Sequence, residues 1–483
     1  MRQRRKLDRA ESICSALIRR HPGYVAALHT LGLVYLDKGN FERALDCLVR
    51  AAMLSPQAWV TLTALGHTYL RLGAIEMATR TLEQARMLNP HEAAILVSLA
   101  EAYEEEREYE RAQEAYRSAL TLEPRLEAAA IGLAVASSSL GQQSEAAGAI
   151  RHALKQGHRS LNLFRTITTL PPLSIDVDVL AELDRMVIHP SDREGKNTIA
   201  FVRSAALDAA GRHAEAWECL VPANRMLFEQ KREALKNEVA RQEESSDWLL
   251  GTSIRTAKPI SSDGSPVSLF ILGPSRSGKT TLEQLVGLFD GVKRGFEGPI
   301  VENALRGAFQ SAALPNSIIF EQLPANSYPI FGEFYLKELR RRAPSARVVT
   351  NTIAARIHDI ARIATTVPNV RLVFMKRDIE DNTLRIFMRK YIRGNAYAYQ
   401  IKSIYEHLLW YHQMSDRLAE IFSDISLVIN SETMVSNPAV AVREIKILCG
   451  LAGQPEHLPE VGDDSGCATP YRDFMSAAMT TGI

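Results

Sequence analysis

A chain of 483 residues, 46% of them hydrophobic, can bury the cores of two to four domains, and a net charge of +1 from 57 basic and 56 acidic residues excludes bulk attraction to nucleic acid or an anionic membrane. Five cysteines, Cys14, Cys47, Cys219, Cys449 and Cys467, are odd in number and scattered, with no C-x-x-C pair, which predicts a reduced chain in the cytoplasm. No run of about 18 apolar residues occurs, as a membrane span would need, and the basic N-terminus is interrupted by Asp8 and Glu11 with no signal-length apolar segment behind it.

The first elements repeat. Pro22, Pro56, Pro90 and Pro124 lie 34 residues apart, the period of the tetratricopeptide repeat. Gly32, Gly66, Ala100 and Ala134 keep the same register, as do Tyr35, Tyr69 and Tyr103. So do Ala10, Ala44, Ala78, Ala112 and Ala146, and likewise Ala51, Ala85, Ala119 and Ala153. Small residues let the two helices of a unit approach, tyrosine packs between them, and proline opens the next unit. The pattern predicts paired helices over 1–160, with only a second helix, about 6–19, in the first unit and Ser137 in place of tyrosine in the fourth. Stacked units form a concave surface that usually takes a protein or peptide, and they also serve as a structural or dimerising arm; the oligomeric state is not encoded in any pattern here.

Residues 161–251 read as helical, broken at Pro171 and Pro172, with a late irregular repeat over 205–227 and a charged helix over about 228–244. A polar, Ser-rich linker at 252–266 marks a boundary. Beyond it, over 267–483, strands alternate with helices, which predicts a mostly parallel sheet with helices on both faces. The fold class is therefore an α-helical repeat domain followed by an α/β domain. Candidate strands are 269–272, 347–350, 371–375 and 426–429, whose C-terminal ends should carry the site.

The most informative stretch is Ser268–Gly287, SLFILGPSRSGKTTLEQLVG, a strand, a Gly-rich turn and a helix. Gly273 and Gly278 let successive N–H groups curl around an anion, and the helix adds its positive end. Taken alone, Gly273 to Thr280 satisfies G-x-x-x-x-G-K-(S/T), a nucleoside-triphosphate loop. The full string resembles more closely the loop that holds the 5′-phosphosulfate of PAPS (3′-phosphoadenylyl sulfate) in tetratricopeptide-repeat sulfotransferases and tyrosylprotein sulfotransferases, G-x-P-R-S-G-T-T-L-L-E-Q. Gly273, Arg276, Ser277, Gly278, Thr280, Leu282, Glu283 and Gln284 match; Ser275 stands in place of Pro, and Lys279 replaces the first Thr.

The resemblance implies a P-loop sulfotransferase fold, PAPS as co-substrate and no metal. It assigns the 5′ end of PAPS to Gly273, Arg276, Ser277, Gly278, Lys279, Thr280 and Thr281. The segment Arg371–Phe387, RLVFMKRDIEDNTLRIF, is similar to the family's 3′-phosphate motif: Arg377, Asp378 and Asp381 match, Ile379 replaces Pro, and Arg385 occupies the Ser position. Arg377 is then the 3′-phosphate ligand, and Arg385 either shares it or faces solvent. Glu297, 21 residues beyond Arg276, sits where tyrosylprotein enzymes carry a catalytic carboxylate, with Glu302 and Glu333 as rivals. The family lysine that stabilises the leaving oxygen falls on Thr352, so either Lys279 or Arg356 replaces it or turnover is lost. Glu432, Val435, Pro438, Cys449 and Gly450 match a closing strand and helix, and Tyr391–Tyr399 echoes the acceptor cleft.

The resemblance implies a sulfotransferase, expected to be cytoplasmic, acting on a hydroxyl of a protein, peptide, glycan or small molecule, with Glu297, Lys279 and Arg276 catalytic. One alternative is an ATPase or kinase with Mg²⁺ on Thr280, which needs an acidic residue at a neighbouring strand end; Leu372–Met375 runs instead into Lys376 and Arg377. Another is a repeat scaffold with a degenerate transferase domain.

Overall fold

The structure is a computed structural model that describes residues 2–170, 175–189, 191–251, 265–315, 317, 319–391, 394–455, 457–459 and 461–481. Pro171 and Pro172, and 252–264 of the expected linker, lie outside the described residues. The chain divides into two compact units, Met1–Val177 and Asp178–Ile483.

The first unit is built from helix pairs. Helix Arg2–Arg20 is followed by Val25–Asp37 with Phe41–Leu54, Trp59–Arg71 with Ile75–Leu88, Ala93–Glu105 with Tyr109–Leu122, and Glu127–Ser139 with Gln143–Lys155. The small-residue register has the expected cause. A Cβ on Gly32 would meet Leu48 Cγ at 2.5 Å and one on Gly66 would meet Leu82 Cγ at 2.5 Å, while Ala100 and Ala134 are fully buried. Turns inside the pairs need the left-handed region, supplied by Gly39, Gly73 and Gly141 at φ 72°, 73° and 84°; in the third pair Arg107 takes it at φ 62°.

In the second unit, helices Arg193–Ala209 and His213–Gly251, the latter continuous through Pro222, precede the sheet. The strands are β1 (Val267–Leu272), β2 (Val292–Lys293), β3 (Val348–Asn351), β4 (Val370–Lys376) and β5 (Ser426–Asn430). They form one parallel sheet in the order β2-β3-β1-β4-β5. Alternation along the central strands separates two cores. Phe270, Leu272, Leu372 and Phe374 face the helices Ile300–Ser311, Tyr328–Arg342 and Ile401–Ile421, and Leu269, Ile271, Val373 and Met375 face Lys279–Val286 and Pro438–Cys449. Trp217, Leu220 and Leu227 of the long helix pack with Phe387, Tyr397 and Tyr471, so the helices after Asp178 share the compact unit of the sheet.

The order reverses direction at β1, whose neighbours are β3 on one side and β4 on the other. A parallel sheet opens a crevice at the C-terminal ends of strands at such a switch point. The loop after β1 therefore emerges where a ligand has room. No helix among the described residues is long and apolar enough to cross a membrane.

Candidate functional site

The loop after β1 has the shape its glycines call for. Gly273 approaches β4 so closely that a Cβ would lie 2.4 Å from Ser277 Oγ and 2.9 Å from Met375 Cβ. Gly278, at φ 89°, turns the chain into helix Lys279–Val286. Ser277 is buried and its Oγ has no hydrogen-bond partner among the described residues. Such a hydroxyl, orphaned at a helix N-terminus, suits an oxyanion. Thr280 is exposed and Thr281 half-buried on the first turn of that helix.

Arg276 adopts φ 65°, which an L side chain takes only under constraint. The constraint comes from its own carbonyl, which accepts a hydrogen bond from Arg377 Nη1 at 3.2 Å. Asn382, with its amide nitrogen turned to the loop, donates to the Arg276 and Ser275 carbonyls at 3.1 and 3.0 Å. The Arg276 side chain is exposed to solvent. Desolvation, helped by the positive charges of Arg389 and Arg385, lowers its pKa to about 10, so it stays cationic at neutral pH.

Lys279 is buried and donates from Nζ to the carbonyls of Gly273 and Pro274, each at 2.8 Å. Burial lowers its pKa from 10.5 to about 8, opposed by the Glu297 carboxylate and reinforced by Arg276. Lys279 thus feels the charges of both Glu297 and Arg276. The exposed Glu297 rides on a tight turn after β2. Within that turn the Phe296 N–H donates to Glu283 Oε1 at 2.8 Å, the Gly295 N–H to Thr350 Oγ1 at 2.9 Å, and the Thr352 N–H to the Phe296 carbonyl at 2.9 Å. Thr350 Oγ1 closes the set by donating to Glu283. A Cβ on Gly295 would strike the Thr350 carbonyl at 2.1 Å. Glu283 is fully buried and burial raises its pKa. This carboxylate, visible in the sequence only as a motif match, positions the turn that carries Glu297.

Thr352 contributes this backbone contact where the family motif has lysine, and its side chain is buried. Arg356 is filled by other partners: its Nη1 lies 2.6 Å from Asp359 Oδ2 and its Nη2 2.8 Å from Glu302 Oε1. Two rivals in the sequence reading, Arg356 and Glu302, therefore hold each other. Glu333 is exposed on helix Tyr328–Arg342.

At the end of β4, Arg377 and Arg385 converge on one carboxylate. Arg377 Nη2 is 2.8 Å from Asp464 Oδ1, and Arg385 Nε is 3.0 Å from Asp464 Oδ2. Arg385 Nη1 also reaches within 3.8 Å of Asp208 Oδ2, so the half-buried Arg385 side chain is engaged by two carboxylates. The fork is bidentate anion recognition realised on a protein carboxylate. Asp464 and Asn382 thus contact these residues, and the positive charge of Arg389 acts on Arg276. Tyr391 belongs to the wall, its hydroxyl 2.8 Å from Ser275 Oγ; Ile392 and Arg393 of the expected acceptor segment lie outside the described residues.

On the repeats, the first helices of the units carry ionisable groups in half-buried positions. Burial pushes Glu104, which accepts from the Tyr116 hydroxyl at 2.9 Å, up to about 7, and holds His29 and His67 below the usual histidine range.

Comparison with known proteins finds similarity in both parts of the chain. Residues 266–455 match the sulfotransferase family, and residues 25–58 and 93–126 match tetratricopeptide repeats. No curated protein matches the chain. Among solved structures, MamA aligns at 24% identity and TM-score 0.30, covering 32% of this chain and 91% of its own. The pilF protein of Pseudomonas aeruginosa aligns at 17% identity and TM-score 0.33, covering 42% and 91%. YrrB, described as a TPR protein with an unusual peptide-binding site, aligns at 14% identity and TM-score 0.30, covering 42% and 95%.

Proposed function

We propose that this chain, which carries a sulfotransferase-family domain behind tetratricopeptide repeats, transfers the sulfuryl group of PAPS to a hydroxyl of a protein, peptide, glycan or small molecule. The observation that carries the reading is the pair of anion sites flanking the switch point: a phosphate loop with an orphaned Ser277 hydroxyl after β1, and the Arg377–Arg385 fork after β4 already holding a carboxylate. PAPS has one anionic group for each. Gly273, Arg276, Ser277, Gly278, Lys279, Thr280 and Thr281 would receive the 5′-phosphosulfate, and Arg377 with Arg385 the 3′-phosphate.

In the reaction the acceptor oxygen bonds to sulfur as the bond from sulfur to the 5′-phosphate oxygen breaks, the acceptor proton passes to Glu297, and adenosine 3′,5′-bisphosphate leaves. Lys279 and Arg276 would stabilise charge on the bridging and sulfuryl oxygens. The strands flanking β1 end in Asn351 and Lys376, and neither supplies the carboxylate that a Mg²⁺-dependent nucleotide hydrolase would place there. The repeats would present a protein or peptide partner, and the five free cysteines fit a reducing cytoplasm.

Calorimetric titration with adenosine 3′,5′-bisphosphate, ADP and ATP, with and without Mg²⁺, tests the assignment: tight binding of the bisphosphate independent of Mg²⁺ supports it, and Mg²⁺-dependent preference for ATP overturns it. Arg377→Ala should weaken the bisphosphate by about tenfold or more, the loss expected for a charged hydrogen bond, and AMP far less, because these ligands differ only in the 3′-phosphate. Equal losses would remove Arg377 from that group.

A further inference from the structure

The carboxylate on the arginine fork belongs to a segment that is itself tied down. Asp381 Oδ2 accepts from the Gly466 N–H at 2.6 Å and Asp381 Oδ1 from the Ala468 N–H at 2.8 Å, while Asp463 Oδ1 accepts from the Ser465 N–H at 2.9 Å. Arg377 Nη2 also donates to the Asp464 carbonyl at 3.3 Å. The segment is thereby fixed behind Asp464, and the Asp464 side chain is presented to Arg377 and Arg385 at the high effective concentration of an intramolecular ligand. Nothing in the packing of a hydrophobic core calls for it: the Asp464 side chain is 39% exposed, whereas that of Arg377 is 6% exposed.

We propose that Asp464 is a built-in placeholder for the 3′-phosphate and thereby sets the affinity of the site for 3′-phosphorylated ligands. The proposal rests on the reading of Arg377 and Arg385 as the 3′-phosphate site. A phosphate and a carboxylate cannot both sit on the same guanidinium N–H groups, because two anions would then be in contact. The phosphate carries about −1.5 to −2 charge and three acceptor oxygens against one charge and two oxygens for the carboxylate, so it wins the fork and Asp464 swings out. A ligand without that group leaves Asp464 in place. In the free protein the placeholder neutralises part of a cluster formed by Arg276, Arg377, Arg385 and Arg389, which would otherwise repel one another.

The test compares wild type with Asp464→Asn, an isosteric change, titrating adenosine 3′,5′-bisphosphate and AMP. The variant should bind the bisphosphate about tenfold or more tightly than wild type, the equivalent of one charged hydrogen bond no longer displaced, with AMP affinity within about threefold. Unchanged or weaker bisphosphate binding by a variant that still binds AMP would overturn the placeholder and leave the 3′-phosphate assignment standing. Equal tightening for both ligands would also overturn it, as an effect of bulk charge. Failure of wild type to prefer the bisphosphate over AMP would remove the assignment and the placeholder together. Should the variant not fold, a crystal structure of the wild-type complex decides: phosphate on the fork with Asp464 released supports the inference, and Asp464 still bonded to both arginines beside the phosphate overturns it.

Discussion

Glu297→Gln should lower single-turnover sulfuryl transfer by about 10²–10⁴-fold, the range for loss of a positioned general base, while leaving affinity for adenosine 3′,5′-bisphosphate within about threefold. The substitution keeps the shape and removes the proton acceptor. An ordinary exposed glutamate would tolerate it, but Glu297 sits on a turn that spends a buried carboxylate, a buried threonine hydroxyl and a strand-end N–H on fixing its backbone. Its charge also opposes the burial that lowers the Lys279 pKa. Labelled donor, offered with peptide, glycan and small-molecule hydroxyl acceptors, would read the rate. Wild-type rates in the variant would exclude Glu297 as the base. Tight donor binding by the wild type without transfer to any acceptor would favour the scaffold reading.

The legible and illegible parts of this molecule divide by range of interaction. The repeats were readable because each unit solves the same packing problem every 34 residues, and the residues that touch, such as Gly66 and Leu82, lie close in sequence. The strands β1, β3, β4 and β5 were readable as apolar runs, but the two-residue β2 was not, since Val292–Lys293 carries no alternation. The phosphate loop was readable because its glycines answer a local backbone demand. What escaped was contact across long separations. Asp464 reaches Arg377 over 87 residues, and Glu283 reaches Thr350 over 67. A lone aspartate near the end of a chain reads as solvated, and a glutamate on a short helix reads as surface; only the fold shows one on a guanidinium fork and the other buried. The partners of Arg356, one of two candidates for the missing family lysine, were equally hidden: the fold pairs it with Glu302 and Asp359.

Lys279 should make ligand binding depend on pH in a range where ordinary lysines do not titrate. Burial holds its pKa near 8, and the Gly273 and Pro274 carbonyls accept from the ammonium and keep it charged at neutral pH. An anion seated in the loop adds negative charge beside Nζ and raises that pKa, so binding above pH 8 takes up a proton. Affinity for adenosine 3′,5′-bisphosphate should then be flat around pH 7 and fall above pH 8 by up to about tenfold per pH unit. The ligand's phosphates, with second pKa values of about 6, are already ionised there, and Arg276, near 10, adds its own fall only at higher pH. The effect on the free protein has the opposite sense. A lysine whose folded pKa lies below its unfolded value destabilises the fold while it is charged in both states, below pH 8, and the penalty disappears as pH rises towards 10.5. The shift corresponds to about 3 kcal/mol. Lys279→Met should therefore melt at a higher temperature than wild type at pH 7, with the gap narrowing by pH 10, and should bind the bisphosphate more weakly at pH 7 without the fall above pH 8. Titrations and melts of both proteins across pH 7–10 check this. A flat wild-type profile, or the same slope in Lys279→Met, would mean that the loop lysine does not titrate with the ligand.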